Sequence, residues 1–112
     1  MKKTFAQILF WDDSCRRTPA EQMACDEALA GVAEGPLLRT YRWEAPAVTF
    51  GYSQRLQNIQ NLAQGRPVMR RWTGGGTVFH GDELTLGLAI PSSGTFAHLT
   101  SAQIYQAIHE AI

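Results

Sequence analysis

The run Arg70-Arg71-Trp72-Thr73-Gly74-Gly75-Gly76-Thr77-Val78-Phe79-His80 holds most of this chain's capacity for chemistry. A glycine loses more conformational freedom on folding than any other residue, so three in a row make sense where backbone takes positive φ or lies close to a ligand. Successive amides in such a bend can converge on an anion. Arg71 adds a fixed cation whose planar fork matches a carboxylate or phosphate. His80, across the loop, can hydrogen-bond the ligand or the loop itself. A flexible hairpin tip would show the same glycines, but flanking strands, paired arginines and a following histidine favour an anion site. No Gly-Lys-Ser/Thr follows, so the run is not a P-loop, and no G-x-G-x-x-G opens a helix.

The charge distribution agrees. The formal net charge is zero, which argues against nucleic-acid or membrane-surface binding. Yet Arg39, Arg42, Arg55, Arg66, Arg70 and Arg71 lie between Pro36 and Gly81 with Glu44 as the only acid. A basic middle suits an anionic ligand. Arg39, Arg42, Arg55 and Arg66 themselves read as a solvated strand face. Cys15 and Cys25 fit neither a C-x-x-C nor a zinc pattern. Cys15 reads as a loop residue and Cys25 as a small buried thiol. His98 reads as a loop residue and His109 as a helix-face residue, and no metal site is expected. Asp82 and Glu83 read as turn caps, and Trp11, Trp43 and Trp72 as core or rim. The N-terminus lacks a signal-peptide core and no apolar stretch could span a bilayer, so a cytoplasmic chain is expected.

The elements that position the glycine run follow from pattern. Phe5 to Trp11 reads as a strand ending at an Asp-Asp-Ser turn. Thr18-Pro19-Ala20-Glu21 opens a helix with a capping box, running to about Val32 and ended by Gly31 or Gly35. Ala20, Ala24 and Ala28 form a small-residue stripe that would face a sheet. Leu37 to Trp43 and Ala47 to Phe50, split by Pro46, read as a hairpin-like pair closed by Gly51. A short helix is expected over Asn58 to Gln64. Strands follow at Pro67 to Trp72, Thr77 to Phe79 and Leu84 to Ile90, then a Ser/Gly loop from Pro91 to Ala97. A second capping box, Thr100 to Gln103, opens a helix with Ile104, Ile108 and Ala111 on one face and no stop signal, as expected of a truncated domain. All 112 residues therefore read as one incomplete domain.

With the residues in view, Arg-Arg-x-Thr-Gly-Gly-Gly-x-Val-x-His resembles the signature of the lipoate–protein ligase and octanoyltransferase family. Ala20 through Leu29 is similar to its first helix, Leu38 through Gln54 to its central hairpin, and Glu83 through Pro91 to its following strand. The resemblance implies an α+β fold, a mixed and mainly antiparallel sheet flanked by helices, shared with biotin ligases. Biotin ligation itself fits less well, because the loop lacks that family's interspersed arginine. It implies activation of lipoate with ATP and Mg2+ to lipoyl-AMP. Transfer to a lysine on a lipoyl domain, of a 2-oxoacid dehydrogenase subunit or a glycine cleavage H protein, would follow. It places Arg71 at the carboxylate or phosphate and Gly74, Gly75 and Gly76 over the acyl-adenylate. His80 would match the family's histidine, and Thr73, Thr77, Val78 and Phe79 lie within the same binding signature. Trp43 and Gly51 would lie near the acyl pocket.

The chain departs from the ligase pattern in one respect. Its only lysines are Lys2 and Lys3, whereas the family's catalytic lysine would follow Ile112. The resemblance therefore leaves two alternatives beside the ligase. One is an octanoyltransferase taking octanoate from acyl carrier protein through a downstream cysteine. The other is a non-catalytic module that keeps the ligand loop.

Overall fold

The computed structural model describes residues 7–92 and 98–111, so most of the predicted Ser/Gly loop lies outside the described residues. The elements are β1 (Leu9–Arg17), α1 (Pro19–Val32), β2 (Leu37–Trp43), β3 (Ala47–Phe50), α2 (Leu56–Ala63), β4 (Val68–Arg70), β5 (Val78–His80), β6 (Thr85–Ala89) and α3 (Ser101–Ala111). They build two mixed three-stranded sheets, ordered β1-β2-β6 and β4-β3-β5. Each sheet repeats one plan. A parallel pair is joined across a helix, β1 to β2 through α1 and β3 to β4 through α2, and an antiparallel strand covers the other side of the central strand.

This arrangement corrects the expected hairpin. β2 and β3 do not pair; Glu44 to Pro46 forms a corner between sheets. All four residues of β3 are buried. A strand covered on both faces belongs at a sheet centre, with partners on both edges. Alternation then sorts its side chains. Val48 and Phe50 pack with Ile59, Ala63 and Val68 toward α2, while Ala47 joins Met23, Tyr41, Trp43 and Met69 toward α1.

β1 also differs from expectation. It runs through Asp12, Asp13 and Ser14, with a register irregularity between Asp13 and Arg17. Tertiary partners override the local turn preference: Asp12 Oδ1 accepts from Thr40 Oγ1 at 2.8 Å, and Asp13 Oδ2 accepts from Arg39 Nη2 at 2.8 Å. Cys15 is therefore an exposed strand residue rather than a loop residue. Arg39 is not on a solvated face; it is fully buried. Its guanidinium meets Asp13, Asp26 and Gln22 and lies 3.9 Å from the Tyr41 ring centroid. A buried charge is tolerable only when paired and hydrogen-bonded in this way.

That network decides which face α1 presents. Ala20, Ala24 and Ala28 are exposed, and Gln22, Met23 and Asp26 turn to the sheet instead. The helix begins as expected, with Thr18 Oγ1 accepting from the Glu21 amide and Glu21 Oε1 accepting from the Thr18 amide. It ends at neither expected glycine: Ala33 is the C-cap, in extended conformation. α2 starts slightly earlier than expected and stops where Gln64 turns left-handed at φ 53°. α3 carries its capping box, Thr100 Oγ1 accepting from the Gln103 amide and Gln103 Oε1 from the Thr100 amide. No helix among the described residues is long and apolar enough to cross a membrane.

Candidate functional site

β4 and β5 flank β3 on opposite edges, so the glycine run that joins them must cross the C-terminal end of β3. The crossing is tight. The Arg71 amide donates to Phe50 O at 2.8 Å and the Tyr52 amide to Thr73 O at 2.9 Å. A Cβ on Gly51 would sit 2.0 Å from Gly75 O, so only glycine fits beneath the loop. Gly75 itself has φ +102°, a conformation L side chains rarely adopt. The amides of Gly74, Gly75 and Gly76 lie beyond the ladder, which stops at Thr49–Val78, and take no partner among the described residues.

Alternation separates the two arginines that precede the loop. Arg70 turns to the α2 side, its guanidinium 4.6 Å from the Phe50 ring centroid and bonded to Tyr52 O and Gln54 O. Arg71 turns to the other side. Its Nη1 donates to Thr49 Oγ1 at 2.9 Å, and its Nη2 to Gly74 O at 3.2 Å and Gly76 O at 2.6 Å. A guanidinium has five N–H groups. Nε–H and one Nη1–H therefore remain uncommitted among the described residues. Partial burial draws the Arg71 pKa down from its usual value, but an arginine stays charged in a protein. The loop oxygens thus hold the arginine, where the sequence reading had amides and arginine acting side by side.

His80 closes the polar rim. Its Nε2 lies 2.8 Å from Thr49 Oγ1 and its Nδ1 3.0 Å from Glu83 Oε2. Trp43 stacks on the imidazole at 3.9 Å between centroids and donates through Nε1 to Thr85 Oγ1, which donates to Glu83 Oε2. Glu83 does more than cap a turn. Partial burial works against its carboxylate, yet hydrogen bonds from the Gly81 amide, His80 and Thr85 prevail and hold its pKa below the usual range.

Trp43, Thr49, Arg71, His80 and Thr85 edge a cavity of about 750 Å³, with Glu83 behind them. Its apolar wall comes from Met23 and Leu29 of α1, Leu88 of β6, and Ile104 and Ile108 of α3. Of the residues expected at the site, Arg71, Thr73, Gly74, Gly75, Val78, His80 and Trp43 line it. Gly76 contributes its carbonyl to Arg71, and Thr77 Oγ1 reaches Gln54 Oε1 at 3.3 Å. Gly51 supports the loop from below. Phe79 points away: it pairs with Val48 on the opposite face, near the Arg66 guanidinium. Thr49 and Thr85 were not singled out from sequence, and Glu83 was read only as a turn cap; strand alternation from Trp43, Val78 and His80 is the signal that could have placed them at the site. Among cavity-lining residues Asp26 is the one carboxylate, and it is engaged with Arg39 and Tyr41. The described residues thus offer no uncommitted carboxylate to a magnesium ion there.

An apolar slot with an arginine–histidine rim, carried on a glycine bridge between strands, is what the structure brings together, and comparison with known proteins gives the family. The lipoyl protein ligase A/B catalytic domain matches residues 18–112. The chain belongs to this family. An octanoyltransferase LipM of Exiguobacterium sibiricum is 38% identical over 105 residues, covering 87% of this chain and 38% of that protein. The LipM of Staphylococcus aureus is 34% identical over 104 residues, covering 86% and 38%. A solved structure of a proposed lipoate protein ligase from T. acidophilum, with lipoic acid bound, superposes with TM-score 0.65 at 24% identity. It covers 94% of this chain and 45% of that one, a likeness of fold. The chain thus spans about two fifths of the length of these LipM relatives.

Proposed function

We propose that this chain forms the acyl-binding face of an octanoyltransferase. In this reading it holds a medium acyl chain for passage from a carrier-protein thioester to a lysine of a lipoyl domain. The observation that carries the reading is the cavity. Its volume of about 750 Å³ falls in the range of roughly 300–1,000 Å³ typical of small-molecule sites. It joins an aliphatic wall to a short polar rim. The wall takes the hydrocarbon tail, and the uncommitted N–H groups of Arg71 take the carbonyl or carboxylate oxygen, where charge develops during acyl transfer. The LipM relatives favour octanoyl transfer over ATP-dependent activation of lipoate, and the one carboxylate among the described cavity-lining residues, Asp26, is engaged with Arg39 and Tyr41. The lipoic acid in the structural neighbour fits an acyl ligand of similar length.

Neither cysteine lines the cavity and no lysine occurs among the described residues. The described residues therefore bind and orient, and the chain by itself should turn over poorly. Trp43 and Trp72 border the cavity, so tryptophan emission reports occupancy directly. Titration with octanoyl-pantetheine should give a saturable emission change, competed by lipoate and indifferent to ATP with magnesium. No saturable change would refute an acyl site. Lipoate binding that requires ATP and magnesium would move the assignment to a ligase.

A further inference from the structure

We propose that Glu83 is a positioning residue: by accepting Nδ1–H of His80 it fixes the imidazole tautomer, and through Thr49 it aims the Arg71 guanidinium. The inference rests on the acyl-transfer reading only for what Arg71 binds.

The assignment follows from counting protons. An ionised carboxylate offers lone pairs only, so the His80 nitrogen 3.0 Å from Glu83 Oε2 must carry hydrogen. In the neutral ring Nε2 is then bare. Thr49 Oγ1, 2.8 Å away, must be the donor of that bond. A hydroxyl has one proton, and with it committed to His80 both oxygen lone pairs are left for Arg71, whose Nη1 lies 2.9 Å away. Trp43 fixes the ring plane by stacking and, through Thr85, fixes the same Glu83 oxygen. The chain Glu83–His80–Thr49–Arg71 thus has one self-consistent direction. In the opposite tautomer Nε2–H would take a lone pair of Thr49 and leave the hydroxyl proton to turn toward the guanidinium. Outer hydrogen-bond partners set tautomer and orientation of histidines elsewhere by this logic.

The test reads the tautomer first, without ligand. Long-range proton–nitrogen NMR of the whole chain at alkaline pH, with exposed His98 and His109 as internal references, should show His80 as the Nδ1–H form. Glu83→Ala should shift it toward Nε2–H, and Glu83→Gln, which keeps an oxygen acceptor, should restore Nδ1–H. Octanoate affinity, read by tryptophan emission, should fall about tenfold in Glu83→Ala, the weakening of one charge-assisted bond, and stay near wild type in Glu83→Gln. Thr49→Val should lose affinity equally and Thr49→Ser should keep it, which decides the matter if Glu83→Ala fails to fold. Thermal melting of each variant separates misfolding from misaiming. An Nε2–H tautomer in the wild type, or an unchanged tautomer or affinity in a folded Glu83→Ala, overturns the proposal. A wild-type chain with the expected tautomer but no octanoate binding defeats the acyl reading alone.

Discussion

Between Gly51 and the carbonyl of Gly75 there is no room for a methyl group, and that contact sets the height at which the loop crosses β3. The glycine run itself was legible in sequence, because three costly residues in a row announce unusual backbone. Gly51 was legible only as the end of a strand; its role depends on a backbone distant along the chain, which local pattern cannot show. Replacing it tests the crossing. Gly51→Ala should destabilise the fold by about 2–3 kcal/mol, since backbone cannot rotate out of the way as a side chain can. It should also abolish the octanoyl-pantetheine emission change. Gly31→Ala, where nothing lies within 4 Å of the added methyl, should instead be neutral or stabilising by up to about 1 kcal/mol. Thermal melting with ligand titration checks both. Arg71 offers a companion prediction. Its planar fork spans Thr49 and two carbonyls at once, and a lysine ammonium cannot reproduce that geometry. Arg71→Lys should therefore lose most of the octanoate affinity, nearly as much as Arg71→Ala, and a conservative result would show that charge alone suffices.

The starts of the capped helices α1 and α3 were readable from sequence and sheet partners were not, for one physical reason. A capping box is closed within four residues, so Thr18–Glu21 and Thr100–Gln103 announced α1 and α3. Strand partners are chosen by burial and by residues far away, so the apparent β2–β3 hairpin proved to be two central strands of separate sheets. The α1 face was misjudged similarly. Alanines looked like the packing stripe, but the sheet beneath α1 presents a buried arginine, and Gln22 and Asp26 are the α1 side chains that meet it. Asp13 completes that anchor from β1. Burial opposes its ionisation, but hydrogen bonds from Arg17, Arg39 and the Cys15 amide outweigh it and bring its pKa to about 2, against 3.8 for an ordinary aspartate. A depressed carboxylate stabilises the fold fully above its unfolded value. That stability should be lost as pH falls from 3.8 toward 2. Asp13→Asn should cost about 3 kcal/mol at neutral pH, because Arg39 stays buried with one carboxylate fewer. It should also flatten the acid limb of a stability–pH curve measured by denaturant melts, and an unchanged acid limb would remove Asp13 from the anchor.

At the scale of the whole molecule, the cavity is walled by three layers that differ in how firmly they are held. The central strands β2 and β3 are hydrogen-bonded on both sides, and α1 is tied to β2 through the Arg39 network. α3 is held differently: Tyr105 is exposed, while Ser101, Ile104, Tyr105 and Ile108 border the cavity. A wall whose inner residues face open space lacks the apolar contacts that would resist local opening. An acyl chain in the slot would supply them, since Ile104 and Ile108 would then bury surface against its methylenes. Hydrogen exchange should therefore show β2 and β3 protected in the free chain and 101–111 exchanging fast. Saturating octanoyl-pantetheine should slow exchange in 101–111 more than in any other helix, and Ile108→Ala should weaken both that protection and the affinity. The Arg71 rim should stay intact in that variant, as the His80 tautomer would report. Ligand saturation with unchanged exchange over 101–111 would mean that α3 is not a wall of the occupied site, and would leave the acyl chain lying along α1 and β6 alone.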